Sequence, residues 1–276
     1  MSHQLSGIIA HATGFDPMPV KNVIHLLESG ATIPFISRYR KEQIKGMDEV
    51  DVTKIRDELN KFKDIESRKA TILKSIEAQD KLTPELKRTI TECFDARELE
   101  DLYLPFKPKK KTRATIARDH GLEPLAKIIM LQKDFIFQEK AKQYIRDEIK
   151  TVEDALQGAR DIIAEWINEN QQARKKLRLL FERKACITSK LQKGKEEEGA
   201  KYKDYFAWEE NINKCPSHRI LAMFRGEREG VLKISVSPPK EQAVEILERQ
   251  FIRSPYDIGK QSKMTIQDAY SRLLKP

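Results

Sequence analysis

From Met47 to Thr83 the chain carries neither glycine nor proline, and Gly46 and Pro84 bound the stretch. Apolar residues fall at Val52, Ile55, Leu59 and Phe62, then at Leu73 and Ile76, which is heptad spacing. The two slots between hold Glu66 and Lys69, so the apolar seam breaks midway. Ile65, Ala70 and Ile72 form a second strip turned slightly around the axis. The pattern predicts one helix of about thirty residues, roughly 45 Å long at about 1.5 Å per residue. A broken seam argues against a self-sufficient coiled coil, which needs at least about three or four clean heptads. The expected role is a spine, with separate sets of shorter helices packed on its two halves.

Charged residues make up 34% of the 276 positions and the hydrophobic set 39%, which suits a helix-rich chain with a large surface. The 11 glycines are too few for a turn-dense all-β fold. No run approaches the roughly eighteen apolar residues of a membrane helix. The opening MSHQLSGIIAHATGF lacks the cationic flank of a secretory signal. Cys93, Cys186 and Cys215 are odd in number and widely spaced, which argues against a disulfide scaffold or zinc ribbon and for the cytoplasm. A formal net charge of +9 fits a polyanionic partner.

Taken in order, Pro17 to Glu28 reads as a short helix with Val20, Val23, Ile24 and Leu27 on one face. After Ser29-Gly30-Ala31, Thr32 caps a predicted second helix, Ile33 to Lys45, with Pro34 in its first turn. The two form a helix-turn-helix-like start, and the second helix carries Arg38, Arg40 and Lys41 around an expected core strip of Phe35, Ile36 and Tyr39. Beyond the spine, helices are predicted from Pro84, at Arg97 to Leu104, from Thr112 or Arg113 to His120, at Leu122 to Leu131 and at Phe135 to Arg146. Two more follow at Val152 to Asn168 and Ala173 to Lys184. The period then changes from 3.6 to 2. Ile187, Ser189 and Leu191 mark one strand, and Leu232, Ile234 and Val236 mark another that pairs with it, with a helix from Ser217 to Phe224 between them. Helices resume at Lys240 to Arg249 and Ser262 to Leu274, and the stop at Lys275-Pro276 is expected of a piece of a longer chain.

The fold class expected is therefore mainly α and multi-helical, with a long central helix and a small hairpin-like sheet near 186–237. The expected domains are a helix-turn-helix-like start (1–46), a helical domain on the spine (47–185), a small mixed segment (186–238) and closing helices (239–276).

Pro105 to Arg118 is the most lopsided stretch, holding Lys107, Lys109, Lys110, Lys111, Arg113 and Arg118 and no acid. Cations on a proline-stiffened loop can meet successive phosphates and release counterions. The plainer alternative is a solvated face pairing with Glu98, Glu100 and Asp101 just upstream. The candidate nucleic-acid contacts are these six cations together with Arg38, Arg40 and Lys41, with Phe35 and Tyr39 expected as core anchors.

The remaining motifs point away from chemistry. Gly194 to Lys201 resembles a phosphate loop but lacks Lys and Ser or Thr directly after the second glycine, and three glutamates would repel phosphate. Adjacent Ser217 and His218 diverge by about 100° on a helix, so Ser217 is expected as a cap and not a nucleophile. His3, His11, His25 and His120 stand without ligand partners at metal spacing. No catalytic residue, metal or cofactor is expected, and a hydrolase built on Glu196 to Glu198 and Asp204 is the remotest reading.

Five stretches in one order carry a resemblance: GATIPFISRYRKEQIKGMDEV (30–50), LEDLYLPFKPKKKTRATIAR (99–118), GLEPLA (121–126), GKEEEGAKYKDYF (194–206) and PSHRILAMFRGEREGVL (216–232). Together they resemble the Tex family of bacterial transcription accessory proteins, similar to a eukaryotic elongation factor that also binds histones. The resemblance implies the helical N-terminal region of a larger protein that continues with an RNase H-like domain, a helix-hairpin-helix module and an OB-fold RNA-binding domain. It implies that nucleic-acid binding rests largely on that C-terminal part, and no catalytic residue carries over. The expected function is a non-enzymatic, nucleic-acid-binding scaffold for RNA or DNA. The alternative is a protein-docking module for RNA polymerase or other transcription proteins. No membrane partner is expected.

Overall fold

The computed structural model describes residues 2–132, 137–146, 148–253 and 257–275. Its contacts divide the chain into two compact units, 1–106 and 107–276. That boundary falls inside the stretch 47–185 which the sequence reading treats as one domain.

The first unit is all helical: α1 (Ser2–Thr13), α2 (Pro17–Glu28), α3 (Ile33–Tyr39), α4 (Glu49–Glu77), α5 (Pro84–Glu92) and α6 (Ala96–Tyr103), closed by a 3₁₀ turn at Leu104–Phe106. The spine is α4, 29 unbroken residues. Asp48 caps it reciprocally: its carboxylate accepts from Asp51 N at 2.9 Å while the Asp51 carboxylate faces the Asp48 amide. The front half contributes Val52, Ile55 and Leu59 to a core shared with Ile9, Val20, Val23, Ile36 and Ile44. The rear half contributes Ile72 and Ile76 to a second core with Ile90, Leu99 and Tyr103. Two sets of short helices thus use the two halves, as the broken seam predicts. Between them Phe62 and Ile65 floor an open groove of about 750 Å³ rimmed by Lys61, Arg68, Arg97 and Glu100.

At the break itself, Lys69 is buried and Glu66 exposed. The Lys69 ammonium donates to Glu66 Oε1 at 2.7 Å and to the Thr91 carbonyl at 2.8 Å, and sits 3.9 Å from the centre of the Phe94 ring. Phe94 in turn stacks on Phe62 at 5.6 Å. A lysine in the seam therefore ties the last turn of α5 to the spine, where a cation suits the exposed carbonyls of a helix end.

Three expectations fail in this unit. The sequence reading supplies no element before Pro17, yet α1 is there, with Ile9 and Ala10 buried. The predicted helix 33–45 stops at Tyr39, and residues 41–46 form turns that end on left-handed Lys45 and Gly46. A continuous helix would swing Ile44 about 80° away from Ile36, at about 100° per residue. Leaving the helix at Arg40 lets both reach full burial. Phe35 and Tyr39 are not core anchors: they are 40% and 71% exposed, because α3 turns Ile33, Ile36 and Ser37 inward.

The second unit contains α7 (Arg113–Asp119), α8 (Glu123–Leu131), α9 (Phe137–Lys142), α10 (Val152–Glu169), α11 (Gln171–Lys184), α12 (Ser217–Arg228), α13 (Lys240–Phe251) and α14 (Asp257–Ala269), with a π turn at Tyr270–Leu274. The start of the helix predicted at Phe135 lies outside the described residues. Helix α10 is its axis, capped by Thr151 and Asp154 and buried on most sides through Ala155, Ala159, Ile162, Ile163 and Ile167. Gly158 belongs there because a Cβ would meet Leu122 Cδ1 at 2.3 Å. Gln132, in left-handed backbone, accepts from Arg253 N and donates to the Phe251 carbonyl, which fastens the end of α8 to α13.

The sheet has three antiparallel strands in the order β2 (Ala207–Asn211), β1 (Cys186–Leu191), β3 (Leu232–Ser237). The predicted β1–β3 pair is present with Ser189 opposite Ile234. Strand β2 was not expected. Its sequence AWEEN has no apolar alternation, and pairing with β1, Ser189 opposite Trp208, holds it in the sheet. Met223 of α12 packs with Ile187 and Ile234 beneath it. Ser217 does not cap α12; Pro216 occupies that position.

Truncating Lys69 to Ala should cost about 2–4 kcal/mol, the usual price of emptying a packed buried site. Lys69→Met, which keeps the volume, should cost less than half as much. The midpoint shift in urea unfolding checks both, and an unshifted Ala variant would remove Lys69 from the account of how α5 is held.

Candidate nucleic-acid interface

The six cations of 107–118 divide into two groups. Lys109 and Arg118 turn toward α10: the Lys109 ammonium donates to Glu165 Oε1 at 2.9 Å and also contacts Glu169, and Arg118 Nη1 donates to Glu165 Oε1 at 2.6 Å. Their side chains are 28% and 29% exposed, and that of Glu165 only 9%. Thr112 caps α7 by accepting from Thr115 N at 3.1 Å, and its hydroxyl reaches Glu165 Oε2 at 3.3 Å. Lys109 of the loop, the cap Thr112 and Arg118 of α7 thus converge on a single carboxylate.

Lys107, Lys110, Lys111 and Arg113 remain exposed, with no acidic partner among the described residues. Pro108 restricts the backbone among them. Within the first unit, Glu100 pairs with Arg68 at 2.6 Å. A pinned loop with outward cations can cross a phosphate backbone while losing little ordering entropy.

Burial pushes the Glu165 carboxyl up, but hydrogen bonds from Lys109 and Arg118 outweigh it and hold the group below its ordinary value. Burial raises Glu169, and Lys109 only partly offsets it. Sequence reasoning missed both acids. The available signal was the spacing Asp161, Glu165, Glu169 at four-residue intervals along one helix.

The second candidate set, in the first unit, is less uniform. Arg38 pairs with Glu49 at 3.3 Å, both side chains well exposed, a contact of small energetic weight. The Arg40 guanidinium lies 5.4 Å from the centre of the Phe35 ring, and Lys41 is exposed. Helix α3 follows the left-handed Gly30 turn as a helix-turn-helix order requires, yet it spans only seven residues. Elsewhere, the Gly194–Lys201 segment forms no phosphate cradle. Lys195 pairs with Glu198, and Gly199 is needed because a Cβ would meet the Lys195 carbonyl at 2.7 Å. Ser217 and His218 are exposed, and neighbouring Arg219 binds Glu210. Among the described residues no three His, Cys, Asp or Glu side chains gather to hold a metal, and no helix is long and apolar enough to cross a membrane.

Replacing Glu165 by Gln should lower stability at neutral pH by about 1–3 kcal/mol, the range for hydrogen bonds to charged groups. A carboxyl held below its ordinary value stabilises the fold above that value, about 4.3. This contribution disappears as pH falls through the lowered folded value. The gap between wild type and Glu165→Gln in thermal melts should therefore narrow below about pH 4, and a gap constant with pH would refute the ion-pair assignment.

Residues 3–77 match the Tex-like protein N-terminal domain, and residues 134–272 match the Tex central region-like family, half of the chain. The chain is 41% identical over 273 residues to the uncharacterized protein YdcI of Bacillus subtilis, covering 97% of this chain and 38% of the relative. It is 39% identical to the transcriptional accessory protein Tex of Neisseria gonorrhoeae, covering 84% of this chain and 31% of that one. It is 28% identical to the human S1 RNA-binding domain-containing protein 1, covering 86% and 24%. The chain thus spans between about a quarter and two fifths of the length of these relatives. Two successive Tex regions, matched in order along one chain, establish that it belongs to the Tex family.

Proposed function

We propose that this chain is the helical front part of a cytoplasmic, non-enzymatic scaffold that accompanies transcription and touches RNA or DNA through the loop 107–113. The observation that carries the reading is the division of labour around Glu165. Lys109 and Arg118 are spent on holding the loop, which leaves Lys107, Lys110, Lys111 and Arg113 outward and unneutralised. The names of two relatives, a transcriptional accessory protein and an S1 RNA-binding domain protein, support a nucleic-acid setting. Contact of this kind is to phosphates and carries no sequence choice.

A second reading, docking to RNA polymerase or another transcription protein without nucleic-acid contact, is favoured by α12. Leu221 and Phe224 are 67% and 47% exposed beside exposed Arg225 and Arg228. The nearby acids are engaged elsewhere: Glu227 accepts from Ile234 N and Glu229 pairs with Lys201. Such a stripe suits an acidic, partly apolar protein surface.

Titration with labelled single-stranded and duplex 20-mers separates the two. On the first reading, log affinity falls steeply with log salt. Changing Lys107, Lys110, Lys111 and Arg113 to Ala should flatten the slope by about 3, at roughly 0.7–0.9 per phosphate contact. An unchanged slope, or no binding by this chain, favours the docking reading.

A further inference from the structure

The exposed end of α3 is built like a stacking surface. Phe35 and Tyr39 lie one helical turn apart, with ring centres 5.4 Å apart at 39°. Arg40 leaves the helix just beyond them and lays its guanidinium over Phe35. Arg40 also lines an open concavity of about 540 Å³ together with Asn22, His25, Leu26 and Gln43. A lone exposed tyrosine is ordinary surface. Two rings in contact, one beneath a guanidinium, form an exposed apolar area with positive charge beside it, and Tyr39 keeps 71% of its surface in water. Arg38 and Lys41 are exposed neighbours of Tyr39 and Arg40 in the chain, and Arg38 meets Glu49 in an exposed pair.

That combination selects its ligand. A phosphate backbone alone needs the cations but gains nothing from the rings. An apolar peptide gains from the rings but not from the cations. An unpaired base joined to a phosphate uses both, because every base offers a face to stack and every link offers a negative charge. We propose that Phe35, Tyr39 and Arg40 form a stacking platform for an unpaired base of a single-stranded polynucleotide, with Arg38 and Lys41 meeting its flanking phosphates. This rests on the nucleic-acid reading above and adds to it a second contact with a different physical basis. The loop 107–113 acts through charge, and the platform acts through stacking.

The difference sets the experiment. Labelled oligo(dT) 20-mer, oligo(rU) 20-mer and an abasic 20-mer of equal charge are titrated by anisotropy into the full chain across a salt series. Tyr39 is so exposed that its replacement leaves the core intact, which circular dichroism melts verify. Tyr39→Ala should weaken oligo(dT) and oligo(rU) by about 5- to 150-fold, the range for losing one stacked base. The salt slope and the affinity for the abasic strand should not change. Tyr39→Phe, which keeps the ring, should bind within about twofold of wild type. If Tyr39→Ala binds all three probes like wild type, the platform is overturned while the loop reading stands on its own salt slope. An equal loss on the abasic strand overturns stacking and assigns the effect to backbone contact. If the wild-type chain binds no oligonucleotide, both readings fall together and the rings become a protein-docking feature.

Discussion

Glu165 sits on the inner side of α10 with two cations and a hydroxyl directed at its two oxygens. A carboxylate so enclosed is costly without partners, and a cation left without it would regain its freedom in water. The pairing therefore gives the loop before α7 one preferred path. It also determines the outward surface, since every cation drawn inward is one fewer for a ligand. Glu169 shows the limit of this arrangement. It shares Lys109 with a neighbour of like charge, and burial dominates its behaviour.

In the first unit the organising constraint is length. One helix of 29 residues has to serve two cores, and a single straight apolar stripe drifts around a helix with a period of 3.6. The rear core therefore uses fully buried Ile72 and Ile76, while Leu73, which the heptad spacing favours, is only partly buried. Lys69 and Glu66 occupy the changeover, one buried against Phe94 and one in solvent. The charged pair marks where one packing surface ends and the next begins.

Much of this was legible from residues near one another in the chain. Helix α4 announced itself through its apolar spacing and the lack of any breaker, and Gly30, Gly46 and Gly121 stood where the backbone turns left-handed. What stayed hidden depended on distant partners. Glu165 meets Lys109 across 56 positions and Arg118 across 47, so no local pattern could separate anchoring cations from outward ones. Arg40 is a good helix former, and only the need to bury Ile44 shows why α3 stops there. Strand β2 exists because β1 offered a free edge, and that is a property of the neighbour and not of AWEEN. The exposure of Phe35 and Tyr39 was misjudged for the opposite reason. Aromatic residues at helical spacing usually face a core, and here a helix of two turns had no room to bury them.

The position of Lys69 has a bearing on how the first unit breathes. An amine sealed between a carbonyl, a carboxylate and a ring reacts with acylating reagents only when α5 lifts from the spine. Exposed lysines such as Lys41 and Lys61 are open to the same reagent at all times. The lag of Lys69 behind them would read out, in minutes or hours of labelling, how often that part of the molecule opens without the rest coming apart.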